Sequence, residues 1–227
     1  MSPDSPEYYS QRLSAERLRR CYEIAPERVK QYLQAEIDFV ASRIMPGDLI
    51  LELGCGYGRV IKPLSRPAGS IIGIDTSKES LQMAVRQLKN FGNCRLSQMD
   101  AASLGFRDAV FDLVICVQNG ISAFKIDQLR LIKESLRVVR PGGMALFSSY
   151  AEIFWPERLH WFELQAREGL VGEIDYAKTG NGVIVCHDGF RATTIGPNDF
   201  RALAAQIGII PIITKVDGSS LFCEFHK

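Results

Sequence analysis

Leu49–Val60, LILELGCGYGRV, decides how this chain is read. An apolar run, Leu49-Ile50-Leu51, meets an acid, Glu52, and then Gly54, Gly56 and Gly58 at alternate positions. This is the pattern of a buried strand ending in a tight glycine loop that opens a helix. Glycine is needed where the chain turns with no side chain between backbone and ligand. A helix after the loop turns its free N–H groups toward whatever sits there, which favours a carboxylate or phosphate. The stretch predicts a nucleotide-like ligand. Its G-x-G-x-G spacing differs from the G-x-G-x-x-G of dinucleotide sites, and by itself leaves a dinucleotide and an adenosyl ligand both open.

Downstream, strands and helices alternate. Strand Ser70–Asp75 ends on an acid, about where such folds place a ribose-binding carboxylate. Thr76-x-x-Glu79 reads as a capping box opening a helix to about Lys89. Strand Cys94–Met99 follows, then Phe111–Val117, apolar almost throughout as a strand covered on both faces must be. Helix Ile126–Val139 stops at Pro141-Gly142-Gly143, and strand Met144–Ser149 comes next. The alternation predicts an α/β fold: a doubly wound, mostly parallel seven-stranded sheet with helices on both faces.

The flanks differ. Ser14 to about Ile44 is helical in pattern and divided at Pro26. Past residue 150, a helix over Pro156–Arg167 carries Trp161 and Phe162, and residues 172–194 read as a small β insertion broken by TGNG and HDG turns. Helix Asn198–Gln206 leads to strand Ile209–Val216. Asp217-Gly218 signals a hairpin, and Leu221–His226 alternates like an edge strand, so the sheet closes with a C-terminal antiparallel hairpin.

Composition sets bounds. With 227 residues the expectation is one elaborated domain. The 27 Lys+Arg against 26 Asp+Glu leave a formal charge of +1, which gives no electrostatic case for nucleic acid or membrane. The polar start and the lack of a run near the roughly 20 apolar residues that span a bilayer predict a cytoplasmic protein. Six cysteines are scattered with no CxxC pair, so they are expected to be buried reduced thiols, and no metal site is predicted.

ELGCGYG, with Asp75 in IIGID, resembles motifs I and II of the class I S-adenosylmethionine-dependent methyltransferases. SQMDAASLGF resembles their third-strand loop, FDLVICVQNG their fourth-strand motif and LRVVRPGGMALFS their fifth, in order over roughly residues 45–150. The resemblance implies S-adenosylmethionine as cofactor and S-adenosylhomocysteine as product. It places Gly54, Cys55 and Gly56 at the methionine portion and Glu52 ordering that loop or meeting the methionine amino group. Asp75 and Thr76 fall at the ribose, Asp100 and Ala101 at the adenine, and Gln118 near the reactive methyl. Methyl transfer of this kind is an in-line displacement that positioning and exclusion of water can drive. A base is needed only where the acceptor must lose a proton.

The N-P-P-Y motif that DNA and some protein methyltransferases of this fold carry after the fourth strand is absent, and QNGIS is closer to the L-G-N-S of small-molecule amine methyltransferases. The expected function is methyl transfer to a small-molecule amine, oxygen or sulfur nucleophile. Residues 1–45 are expected to form a helical lid. Residues 46–227 form the cofactor-binding domain, with an acceptor-side insertion at about 150–197. His160, His187 and Tyr9 are the candidates for a catalytic base, Tyr8-Tyr9 for a flap over the cleft, the Phe154-Trp155 and His160-Trp161-Phe162 cluster after the fifth strand for the acceptor pocket, and Arg191 for a substrate carboxylate. The alternatives are an RNA or protein methyltransferase, an NAD-dependent oxidoreductase and a non-catalytic adenosyl-binding protein.

Overall fold

In the computed structural model, which describes Tyr8 and residues 12–227, seven strands form one sheet. In chain order the elements are α1 (Ala15–Glu23), α2 (Glu27–Ala41), β1 (Leu49–Leu53), α3 (Ile61–Leu64), β2 (Ser70–Asp75), α4 (Lys78–Gln87), β3 (Cys94–Gln98) and β4 (Phe111–Cys116). There follow α5 (Gly120–Ala123), α6 (Gln128–Val138), β5 (Val139–Tyr150), α7 (Trp155–Arg167), β6 (Ile184–Val185), β7 (Arg191–Ala192), α8 (Pro197–Ala205), β8 (Ile212–Val216) and β9 (Ser220–His226). The sheet order is β3-β2-β1-β4-β5-β9-β8. Strands β1 to β5 run parallel, and β9 and β8 are antiparallel to their neighbours.

Alternation along each strand divides the core between the two faces of the sheet. Leu51 and Leu53 pack with Leu131, Ile132 and Phe200 from α6 and α8. Ile50 points the other way, to Ile37, Val40, Ile61 and Leu81 from α2, α3 and α4. Glu52 has the parity of Ile50, so an acid enters this second apolar layer. The segments outside the sheet make cores of their own: Leu13 and Cys21 with Phe162, Ile174 and Phe190, and Tyr32 with Phe154 and Trp161.

Three expectations are corrected. Strand β9 is internal, lying between β5 and β8, and only its last residue is exposed. Its polar positions face α2 and the turn after it rather than water: Glu224 pairs with Arg43 at 3.0 Å, and Ser220 donates to Glu36. The edge on that side is β8, which begins at Ile212 rather than Ile209. The cap of α4 is Ser77, whose Oγ accepts from the Ser80 N–H. Asp75 Oδ1 holds the Ser77 N–H, which turns the chain one residue beyond Thr76. The PGG turn is absorbed into β5 as an irregularity opposite Asp112. The 172–194 segment does carry a small β element, β6 paired with β7.

Candidate functional site

A cavity of about 350 Å³ opens at the carboxyl ends of the parallel strands, where open α/β sheets bind ligands. Its floor is the glycine loop. Gly54, Gly56 and Gly58 have φ of +70°, +52° and +86°, values that side chains adopt only at a cost. A Cβ at Gly54 would also fall 2.5 Å from the Phe124 ring, so glycine there is required by conformation and by space.

Strand ends place the polar groups. Asp75 closes β2, and its Oδ2 and Oδ1 accept from the Gly56 and Ser77 N–H groups, each at 2.8 Å. Burial pushes its carboxyl above the usual range, against the pull of those N–H groups. Each oxygen keeps acceptor capacity toward the cavity. Thr76, Asp100 and Ala101 line the same end, and Asp100 Oδ1 is steadied by the Ala102 N–H. Gln118, just past β4, lines the middle. Tyr22 donates to its Oε1 at 2.9 Å, while its Nε2 is buried without a partner. Gln118 and Asn119 both hold positive φ, +54° and +60°. Asn119 accepts from Ser149 Oγ and donates to Thr193 O, tying the end of β4 to β5 and the insertion.

Two residues expected at the ligand face elsewhere. Cys55 is buried in the second core layer, with Sγ against Gly73, so only its backbone belongs to the loop. Glu52 is 3% exposed and does not line the cavity. Burial pushes its carboxyl up to about 8, opposed by the Arg59 guanidinium. Glu52 Oε2 and Arg59 Nε and Nη2 are buried with no hydrogen-bond partner.

The histidines are not brought to the cleft. His160 is exposed on α7, 3.6 Å from Glu163, and His187 is exposed in the HDG turn. Neither lines the cavity, because each sits on the outer side of its element, so the expected base is not found at either. Tyr8 packs on Phe190 and donates to Asp188, which docks it on the insertion instead of over the cleft. Arg191 is exposed. Tyr9 lies outside the described residues. Among the described residues, no group of three or more His, Cys, Asp or Glu comes together to hold a metal, and no helix is long and apolar enough to cross a membrane.

Sequence reasoning placed Trp161 and Phe162 near the cleft, and both line the cavity, but it missed the other residues of the far wall. Leu18, Cys21 and Tyr22 of α1 and Trp161, Phe162 and Gln165 of α7 line the cavity opposite the strand ends, and Trp161 Nε1 donates to Cys21 O to join the two helices. It also missed Glu36, 1% exposed, whose carboxylate accepts from the Gln118 N–H and from Ser220. Helical spacing carries a signal for both: Glu36 falls in the series Val29, Leu33, Val40, and Gln165 in the series Arg158, Trp161, Phe162, all on buried faces.

A family model described as a methyltransferase domain matches residues 50–143. The 2-methyl-6-phytyl-1,4-hydroquinone methyltransferase of Synechocystis sp. is 30% identical over 134 residues, 55% of this chain and 42% of that one. The arsenite methyltransferase of Aquipseudomonas alcaligenes is 32% identical over 146 residues, 59% of this chain and 40% of the relative. The match thus spans less than half the length of these curated relatives. The magnesium protoporphyrin IX methyltransferase of Synechocystis, solved with bound S-adenosylhomocysteine, superposes with a TM-score of 0.66 at 19% identity, covering 98% of each chain. That is a likeness of fold.

Proposed function

We propose that this chain, whose residues 50–143 match a methyltransferase-domain model, is a class I S-adenosylmethionine-dependent methyltransferase that moves a methyl group from S-adenosylmethionine to a small-molecule nucleophile by direct displacement. The observation that carries the reading is the Asp75 carboxylate. It is fixed by two backbone N–H groups at the mouth of a glycine loop with three positive φ angles. A carboxylate so held accepts from both hydroxyls of a ribose.

Gly54 and Gly56, which line the cavity, leave backbone open to the methionine portion. Glu52 and Arg59, whose Oε2, Nε and Nη2 are buried without partners, lie outside the lining and would order the loop from beneath. Asp100 and Ala101 would hold the adenine at the β3 side, Thr76 the ribose beside Asp75, and Gln118 would stand next to the methyl. When bound, the cofactor supplies an activated sulfonium methyl. The chain supplies position and exclusion of water through α1 and α7, so we read residues 13–45 and about 150–197 as the cover over the acceptor. The acceptors named for these two relatives, a hydroquinone and arsenite, are small molecules, in keeping with a cavity roofed by helices, while other relatives are named as probable tRNA methyltransferases.

Calorimetry with S-adenosylhomocysteine tests the cofactor. Wild type should bind, and Asp75→Ala should weaken binding at least 30-fold, about 2 kcal/mol for a desolvated charge-assisted pair; an unchanged affinity would remove the reading. Transfer of tritiated methyl into fractionated cell extract tests the acceptor: label confined to macromolecules would replace the small-molecule class with RNA or protein.

A further inference from the structure

The sheet order gives the cavity a direction. Asp75 and Asp100 stand at the ends of β2 and β3, on one side of β1. Gln118 stands just past β4 and Tyr150 at the end of β5, on the other side, with α7 beyond them. The cofactor reading fills the first side and brings the methyl to Gln118, so the acceptor enters from the second.

That second side is aromatic. Tyr22 and Trp161 have ring centroids 6.0 Å apart, as do Trp161 and Phe162, and Tyr150 completes the wall. Its polar groups are almost all committed within the protein. The Trp161 N–H is donated to Cys21 O and the Tyr22 O–H to Gln118. Arg158 lies over the Tyr150 ring at 4.6 Å and donates to Gly182 O and Ala192 O, and it is not among the lining residues. Among the described residues, no Lys, Arg, His or Glu lines the cavity.

Two groups break this pattern: Gln118, whose Nε2 is buried without a partner, and Gln165. Gln165 is 3% exposed and lines the cavity, yet its carboxamide has no partner among the described residues. Its amide atoms are not among those sealed without a partner, so they open to the cavity and are a hydrogen-bonding anchor for whatever enters. The remaining ionisable groups on this side are poor bases. Burial pushes the Cys21 thiol up to about 12 and raises the Tyr22 and Tyr150 phenols.

We propose that the space between α1 and α7 is the acceptor subsite, and that it takes a neutral aromatic alcohol, stacked among Tyr22, Tyr150, Trp161 and Phe162 and anchored through a polar substituent by Gln165. An uncharged flat ring suits a wall whose neighbouring cations are already stacked on its own rings, Arg59 on Tyr22 and Arg158 on Tyr150 and Phe162, and do not line the cavity. The wall offers no ready base, so the acidity comes from the acceptor: a phenolic oxygen forms the new C–O bond, the C–S bond breaks with its electron pair left on sulfur, and the phenol proton passes to bulk water. An aliphatic alcohol, far less acidic, would not react.

The inference rests on the methyltransferase reading, and S-adenosylhomocysteine binding is therefore measured first and separately. Calorimetry on the protein saturated with S-adenosylhomocysteine then compares 2-naphthol, 2-naphthoate and glycine. Binding of 2-naphthol should be at least ten-fold tighter than that of either charged probe. Gln165→Met, close in shape but without the amide, should weaken 2-naphthol about five-fold, the size of one neutral hydrogen bond, and leave S-adenosylhomocysteine affinity unchanged. Equal or tighter binding of 2-naphthoate or glycine overturns the substrate class, and this comparison needs no variant. Unaltered 2-naphthol affinity in Gln165→Met overturns the anchor. Failure of S-adenosylhomocysteine to bind wild type overturns the cofactor reading itself, and this inference with it.

Discussion

The two walls of the cleft are made differently. The strand-end wall is local: Gly54, Gly56 and Asp75 are set by a turn, a strand end and two backbone N–H groups, all between Gly54 and Ser77. The wall of α1 and α7 is assembled from distant segments. Trp161 reaches Cys21 across 140 residues, Tyr22 reaches Gln118 across 96, and Glu36 reaches Ser220 across 184. A local wall can be shared by relatives with unlike acceptors, and the matched segment, residues 50–143, coincides with it. The far wall lies mostly outside that segment.

The sharpest way to break this contrast is Arg158→Ala. Arg158 is 1% exposed, bonded to two carbonyls of the insertion and stacked on Tyr150. Its removal leaves buried carbonyls unpaired and a cavity behind the ring, about 3 kcal/mol in all. Urea unfolding should register that loss, while S-adenosylhomocysteine affinity should fall much less than in Asp75→Ala. Equal losses of affinity in the two variants would mean that the walls are one unit.

Glu36 joins the walls, and its titration is the next test. Burial holds its carboxyl up to about 7, against 4.5 for a free glutamate. Above pH 4.5 the unfolded chain releases this proton while the native state keeps it. Stability from the retained proton is therefore full below about 4.5 and is lost as pH rises through about 7, some 3 kcal/mol over the window. Glu36→Gln mimics the protonated acid at every pH. It should match wild type near pH 5 and exceed it by about 2 kcal/mol at pH 8 in denaturant titrations, and parallel pH profiles for the two proteins would refute the assignment. Glu52, pushed up to about 8, contributes in the same direction in both proteins and cancels.

What the sequence disclosed follows the same division. Strands β1 to β4 and Asp75 were legible because apolar runs and glycine turns are local signals. The cap moved from Thr76 to Ser77 because Asp75 captures the Ser77 N–H, a choice between neighbours that composition does not decide. Strand β9 looked like an edge because alternation is the same whether its polar face meets water or the polar side chains of α2. His160 and His187 have the chemistry of a base but not the position, and position is tertiary. Gln165 and Glu36 were hidden in plain helical spacing: a polar residue on a buried face has meaning only once its partner, or its lack of one, is known.

The smallest expected effect separates local from distant within one residue. Asp217 sits in the turn between β8 and β9 with φ +55°, next to Gly218 at +63°, and the Ser219 N–H bonds to Val216 O across the turn. Asp-Gly predicts that turn, because both central residues need positive φ. The structure adds a clamp from α2: Arg28 donates to Oδ2 at 2.6 Å and Gln31 to Oδ1 at 2.7 Å. Asparagine tolerates the same backbone and keeps one acceptor, so Asp217→Asn removes mainly the charge of the clamp and should cost under about 1 kcal/mol, since Arg28 is partly solvated. Alanine also bears the left-handed strain, about 1 kcal/mol more. Urea midpoints in the order wild type, Asn, Ala would assign the turn chiefly to local chemistry. An asparagine variant as weak as the alanine one would instead make the distant clamp the element that holds the hairpin against α2.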